Sequence, residues 1–264
     1  MNSGRLYSAD SPLLGHKHRN PRSGSPVKVV LSITSLCFLV LFFISCGQLP
    51  AEQASNTSNP RQVNQGFSSQ ITYVAIGASD SSGIGTSDPY TENWPTDLAD
   101  KLSQKVHLIN LGIPGITLHD ALNVELPIAI DAHPELVTIW LGVNDIVDKV
   151  PVNSYAHDLD FLLASLESQT HPARILIANI PDLSLLPFFA SYNQQKLRNL
   201  IEEYNQTIAH EAQLHHALLV NLSQQNYNLR EHPEYVSSDG LHPTDLGYLQ
   251  LAELFYKTLQ QSRG

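Results

Sequence analysis

Five residues carry the chemistry this chain can offer: Ser79, Gly112, Asn144, Asp239 and His242. They fall in four short blocks, "GASDS" at Gly77–Ser81, "NLGIPG" at Asn110–Gly115, "GVND" at Gly142–Asp145 and "DGLHP" at Asp239–Pro243. Asp239 and His242 are three positions apart, so the carboxylate can reach the imidazole Nδ1–H and leave Nε2 free for a serine proton. With Ser79 N–H, Gly112 N–H and the Asn144 amide as donors to one point, the set is what a tetrahedral oxyanion requires. Together these are the parts of acyl transfer to a serine. Each part alone has a plainer reading. Ser79 and Asp80 can cap a strand-to-helix turn, Gly112 can be a turn glycine, Asn144 and Asp145 can form an Asx turn, and His242 can be a surface histidine beside a capped helix start.

Other chemistries fit less well. The glycine-rich turn at 77–85 suggests phosphate binding, but it lacks the lysine of a "GxxxxGK" loop and the Gly-x-Gly-x-x-Gly spacing. Among twelve histidines, His215 and His216 lie near a helix end with no metal-like spacing to a carboxylate, so no metal site is expected. No cofactor is required either.

The blocks must be held by elements, and the pattern from Ile71 onward supplies them. Short β-branched runs, "ITYVAIG", "VHLINLG", "ELVTIWLG", "RILIANI" and "ALLVNL", alternate with helical stretches such as Asn93–Lys105, Ser154–Gln169, Gln195–His216 and Pro243–Gln260. Strands apolar on both faces, separated by helices, predict a parallel sheet covered on both sides. The expected fold is a three-layer α/β/α sandwich with about five parallel strands. Ligands in such sheets bind beyond the carboxyl ends of the strands, where the first three blocks fall. Pro243 is suited to begin the last helix.

The remainder of the chain sets the context. It has 264 residues, enough for one good-sized domain, and a net charge of −10. The first 45 residues carry Arg5, Lys17, Arg19, Arg22 and Lys28 against Asp10, a net of +4, which leaves −14 for the rest. So acidic a domain repels phosphates and is not expected to bind nucleic acid. Val29 to Cys46 is apolar and, at 1.5 Å per residue, would span roughly 27 Å as a helix. A cleaved signal and a permanent anchor are both compatible with that length. Phe43-Ile44-Ser45-Cys46 resembles a bacterial lipobox, which favours lipidation at Cys46, although Phe43 stands where Leu is usual. In either case the basic flank stays cytoplasmic and the domain faces outward. Both cysteines, Cys37 and Cys46, lie in this segment, so the exported domain has no disulfide. Residues 47–70 are rich in Ser, Asn, Gln and Pro, too polar to order themselves, and read as a flexible tether. The expected organisation is therefore 1–46 signal or anchor, 47–70 linker and 71–264 enzyme, with the membrane as a partner through the amino terminus.

The four blocks in this order resemble the SGNH hydrolases, also called GDSL esterases and lipases, over nearly the whole of Ile71–Gln260. The resemblance implies a flavodoxin-like sandwich and hydrolysis of carboxylic esters. It implies Ser79 as nucleophile, Gly112 and Asn144 as oxyanion donors, and Asp239 with His242 as the relay. The family's "GDSL" reads "GASD" here, with Ala78 for the aspartate and Asp80 for the leucine. The block also differs from the Gly-x-Ser-x-Gly elbow of α/β-hydrolases, because Ser81 takes the second glycine's place.

The substrate is less legible. After the fourth strand, "IPDLSLLPFF" offers Leu183, Leu185, Leu186, Phe188 and Phe189 as an acyl pocket, or equally as packing for the next helix. An apolar wall favours lipid esters such as lysophospholipids. O-acetyl groups on a polysaccharide or cell wall are the main alternative, and a non-catalytic acyl- or glycan-binding module is a further one.

Overall fold

The computed structural model describes residues 70–170, 172–223 and 227–262. The apolar segment, Cys46 and the linker up to residue 69 lie outside the described residues. Among the described residues no helix is long and apolar enough to cross a membrane.

The elements run β1 (Ile71–Gly77), α1 (Trp94–Lys101), β2 (Val106–Asn110), α2 (Leu118–Asp131), β3 (Leu136–Trp140), α3 (Val143–Val147), α4 (Val152–Gln169), β4 (Arg174–Ala178), α5 (Gln194–Leu214), β5 (Leu218–Val220) and α6 (Asp245–Gln261). The five strands form one sheet in the order β2-β1-β3-β4-β5, with every pairing parallel. β3 is buried along its whole length, as expected for a strand covered on both faces. Inside the sheet, the Tyr73 hydroxyl and Thr138 Oγ1 satisfy one another at 2.9 Å. α1 packs against α6, while α2 packs against α4 and α4 against α5. Under α1 and α6, Trp94 stacks on Phe255 at 4.3 Å and meets Trp140 edge-on at 6.5 Å.

Side-chain caps explain several helix starts. Asn93 accepts from Thr96 N–H, Asn193 from Lys196 N–H and Thr244 from Gly247 N–H, each satisfying an amide that the first turn leaves without a partner. The last of these corrects one expectation. Pro243 does not begin α6; it lies one residue before the Thr244 cap, in an antiparallel bridge to Val236. α1 also stops at Lys101, short of Lys105, because Leu102 turns to extended backbone and donates to Ala99 O. α2 was not singled out in the sequence, and Pro127 lies inside it.

β1 sends the chain to β2 on one side, and its other neighbour is β3. The crevice between the carboxyl ends of β1 and β3 is thus the switch point where such sheets take their ligands. Ser79 follows β1, and Asn144 follows β3.

Candidate active site

The turn that carries Ser79 is fastened from below. Ser81 N–H and Ser82 N–H both donate to Ala78 O at 3.1 Å, and Ile84 N–H and Ser82 Oγ donate to Ser79 O at 3.0 Å. Asp80 Oδ1 accepts Ser81 N–H at 2.7 Å. Asn110 holds the same turn from the neighbouring strand end, with Nδ2 donating to Ser81 O at 2.6 Å. Gly112 must be small, because a Cβ there would lie 2.8 Å from both Ser81 Cβ and Ser82 N.

His242 arrives from the other end of the chain on a short hairpin. Ser237 N–H donates to His242 O at 2.8 Å, Thr244 N–H to Tyr235 O at 2.9 Å, and Gly240 N–H closes the turn on Ser237 O at 3.0 Å. Phe188 N–H donates to Gly240 O at 3.1 Å and ties the hairpin to the segment after β4. The hairpin sets His242 Nε2 at 2.9 Å from Ser79 Oγ and Nδ1 at 2.7 Å from Asp239 Oδ2. The Ser79, His242 and Asp239 side chains therefore form one unbroken chain of hydrogen bonds. Partial burial raises the Asp239 pKa, but the bond from His242 and the N–H groups of Leu241 and His242 outweigh it and hold the carboxyl well below the usual carboxylate range.

The three expected oxyanion donors are differently engaged. Ser79 N–H has no acceptor among the described residues. Asn144, in the first turn of α3, donates one Nδ2 hydrogen to Ile116 O at 2.8 Å and lines the cleft, so an amide has a second hydrogen to offer. Gly112 N–H donates to Asn110 Oδ1 at 3.1 Å in an Asx turn, so it is not a free donor as the sequence suggested. Buried Asp145 accepts Leu118 N–H at 3.2 Å with each oxygen. Burial, opposed by that bond, pushes its pKa up to about 6. Asn144 and Asp145 together fix the loop between β2 and α2.

Beside Ser79 and His242 opens a cleft whose walls are mainly apolar: Leu141, Leu183, Leu186, Leu229, Val236 and Leu241, with Trp140, Tyr227 and Tyr235. Leu183 and Leu186 are where the sequence pointed; Leu185 and Phe188 are not. Leu185 packs on the core instead, and Phe188 is 45% exposed, its ring edge-on to Phe189. The 3₁₀ turns at Leu183–Leu185 and Pro187–Phe189 decide which side chains face inward. Nothing in the sequence pattern pointed to Tyr227 or Leu229, which sit in irregular chain, or to Tyr235, which ends a short 3₁₀ turn. Asn110 and Asp145, by contrast, lie inside the recognised blocks. Asp80 also lines the cleft. Burial pushes its carboxyl up to about 6 against the Ser81 N–H bond and the attraction of His242.

Known proteins share this arrangement of elements. The acetylxylan esterase of Geobacillus stearothermophilus is 25% identical over 164 residues, covering 58% of this chain and 72% of the relative. A family 3 carbohydrate esterase from Clostridium thermocellum superposes with a TM-score of 0.59 at 19% identity, over 74% of this chain and 98% of that one. An α/β hydrolase from the metagenome of Lake Arreo, Spain, gives 0.59 at 19% identity, over 71% and 94%. The model of the GDSL-like lipase/acylhydrolase family matches residues 71–249, and the chain belongs to that family, whose members hydrolyse esters.

Proposed function

We propose that the chain hydrolyses neutral carboxylic esters through an acyl-enzyme on Ser79, with the acyl group seated in the apolar cleft. The observation that carries the substrate reading is the lining: leucines, a valine and aromatic side chains converge beside Ser79 Oγ, and no lysine or arginine is among them. An alkyl chain gains about 0.8 kcal/mol per CH₂ buried in such a wall. Nothing there pairs with an anionic acyl group, and Asp80 opposes one. Lipid-type esters are therefore favoured.

In the reaction, His242 Nε2 takes the Ser79 hydroxyl proton as Oγ attacks the ester carbonyl. Asp239 holds the imidazole by Nδ1–H and stabilises the cation that forms. The oxyanion is met by Ser79 N–H and the second Asn144 Nδ2 hydrogen. His242 returns the proton to the leaving alcohol. Water, deprotonated by the same nitrogen, then releases the acid.

A second reading is removal of acetyl groups from a polysaccharide. The acetylxylan esterase relative favours it. Export belongs to the proposal too, with attachment to the membrane through lipid on Cys46 or through an uncleaved anchor within residues 29–46, and with residues 47–70 as the tether; their support is the sequence pattern. The test is hydrolysis of p-nitrophenyl esters from acetyl to palmitoyl by the full-length chain beside Ser79→Ala. Activity that vanishes in the variant and rises from acetyl to longer chains is expected. A maximum at acetyl would favour the polysaccharide reading, and undiminished activity in Ser79→Ala would overturn the mechanism.

A further inference from the structure

Away from the cleft, three carboxylates on α4 and α5 converge on the imidazole of His215, the residue that closes α5. His215 Nε2 lies 2.8 Å from Asp160 Oδ1 and 3.8 Å from Glu211 Oε2, and its Nδ1 lies 3.4 Å from Glu167 Oε2. In the sequence His215 showed no ligand-like spacing. Yet Glu211 is four residues earlier on the same helix, and α4 brings Asp160 and Glu167 to the same point, 55 and 48 positions away. The ligand atoms of Asp160, Glu211 and His215 lie within 4.8 Å of one another.

We infer that Asp160, Glu211 and His215 form a binding site for a divalent transition-metal ion of the zinc type, with Glu167 orienting the histidine. One observation beyond the clustering points to a ligand. Glu211 Oε2 is buried without a hydrogen-bond partner, its side chain only 10% exposed, and it faces Nε2 from beyond hydrogen-bonding reach. A buried carboxylate oxygen left in that state is costly, and a cation placed between it, Nε2 and Asp160 removes the cost. An ion on Nε2 would replace the hydrogen bond that this nitrogen makes to Asp160 at 2.8 Å, and Glu167, 3.4 Å from Nδ1, stands where it can accept the remaining ring proton, the partner that metal-binding histidines share.

The donor set decides the class of ion. One imidazole nitrogen with two carboxylate oxygens suits zinc or its first-row neighbours, whereas calcium takes oxygens alone. Two bonds of about 2.0–2.2 Å to a common centre can bridge donors up to about 4.4 Å apart, and the 2.8 and 3.8 Å observed fall inside that reach. Asp160 is 51% exposed, which gives an ion its entry path and leaves room for water to complete the shell.

An ion here would staple α4 to α5. α5 in turn positions the cleft wall, since Asn205 holds Ile180 by both its N–H and its C=O at 2.8 Å, three residues before Leu183. None of the four residues touches the catalytic cleft, so the role is structural.

The experiment is zinc uptake by the full-length chain in competition with a chromophoric chelator, together with the melting temperature with zinc and with EDTA. Glu211→Gln keeps the shape but weakens the donor, His215→Ala removes one, and His232→Ala removes an unrelated His–Glu pair. The expected result is that His215→Ala binds one ion fewer than wild type and Glu211→Gln binds that ion at least about tenfold more weakly. Both then lose the zinc-dependent rise in melting temperature, while His232→Ala keeps it. Glu211→Gln decides the matter should His215→Ala fail to fold. Equal zinc stoichiometry and equal thermal response in wild type and Glu211→Gln would overturn the site and leave a purely protonic network.

Discussion

Asp239 grips His242 at two places. Oδ2 accepts from the imidazole Nδ1 at 2.7 Å, while Oδ1 accepts the backbone N–H of His242 itself at 2.9 Å and that of Leu241 at 2.8 Å. One carboxylate therefore fixes both the ring and the chain that carries it. The hairpin is pinned again at Gly240 O by Phe188 N–H, so little freedom remains for Nε2 to leave Ser79.

The two grips separate under mutation. Asp239→Asn leaves an oxygen for the backbone amides but places NH₂ where Nδ1–H needs an acceptor. Its kcat should fall by roughly 10²–10⁴-fold. His242→Ala removes the base and should fall further, to the level of Ser79→Ala, because the three act as one unit. Saturating kinetics on one p-nitrophenyl ester for the three variants checks the order. Asp239→Asn at or below His242→Ala would contradict it.

Gly85 is where the nucleophile loop meets the histidine hairpin. Its φ is +101°, and a Cβ would stand 2.5 Å from Pro243 O and 3.0 Å from His242 Cβ. Gly85→Ala should destabilise the chain by about 1–3 kcal/mol and push the hairpin outward. A loss of kcat of at least about tenfold, with KM little changed, is the expected signature. Thermal melts and steady-state kinetics on the same preparation read both effects.

What the sequence showed and what it hid follow from local physics. The blocks that meet at the candidate site were legible because Ser79 and Asn144 sit directly beyond apolar runs that read as buried strands, and because Asp239 and His242 are sequence neighbours. The cleft wall was half legible. Leu183 and Leu186 share a stretch with Leu185 and Phe188, and only the two 3₁₀ turns sort them. Tyr227 and Tyr235 lie in chain with no periodicity to read. α2 was hidden because Pro127 and Glu125 interrupt its apolar pattern, and the His215 cluster because its carboxylates come from two helices.

Glu125, on α2, is fully buried, and neither carboxyl oxygen has a hydrogen-bond partner. Burial, aided by the charge of Asp80 and opposed by the Gly77 backbone, pushes its pKa up to about 8. The native state keeps this proton where the unfolded chain has already lost it. Stability from this group is thus fully present below about pH 4.5 and is lost progressively as pH rises to about 8. Glu125→Gln should therefore be more stable than wild type at pH 9, by on the order of a few kcal/mol, and show no such gain at pH 5. Urea melts at the two pH values decide it, and a gain of equal size at both would refute the buried-acid account.

Asp80 and Leu186 set the last prediction, which concerns chain length. Asp80 lines the cleft, and its carboxyl titrates at about 6, so above that pH an acyl chain must lie against a charge. Asp80→Leu replaces that charge with apolar surface and should raise the octanoyl-to-acetyl ratio of kcat/KM by about tenfold at pH 8, the worth of one or two buried methylenes. Wild type should show part of the same rise on lowering the pH below 6, as Asp80 takes up its proton, and the variant should not. Leu186→Ala widens the wall and should move the optimum to longer acyl groups. Phe188→Ala, on a ring that faces solvent, should leave the preference unchanged. Ratios of kcat/KM compare two substrates on one enzyme preparation, so a general loss of activity cancels and only the shape of the cleft is read. Matching profiles for Leu186→Ala and Phe188→Ala would mean that the acyl chain lies elsewhere.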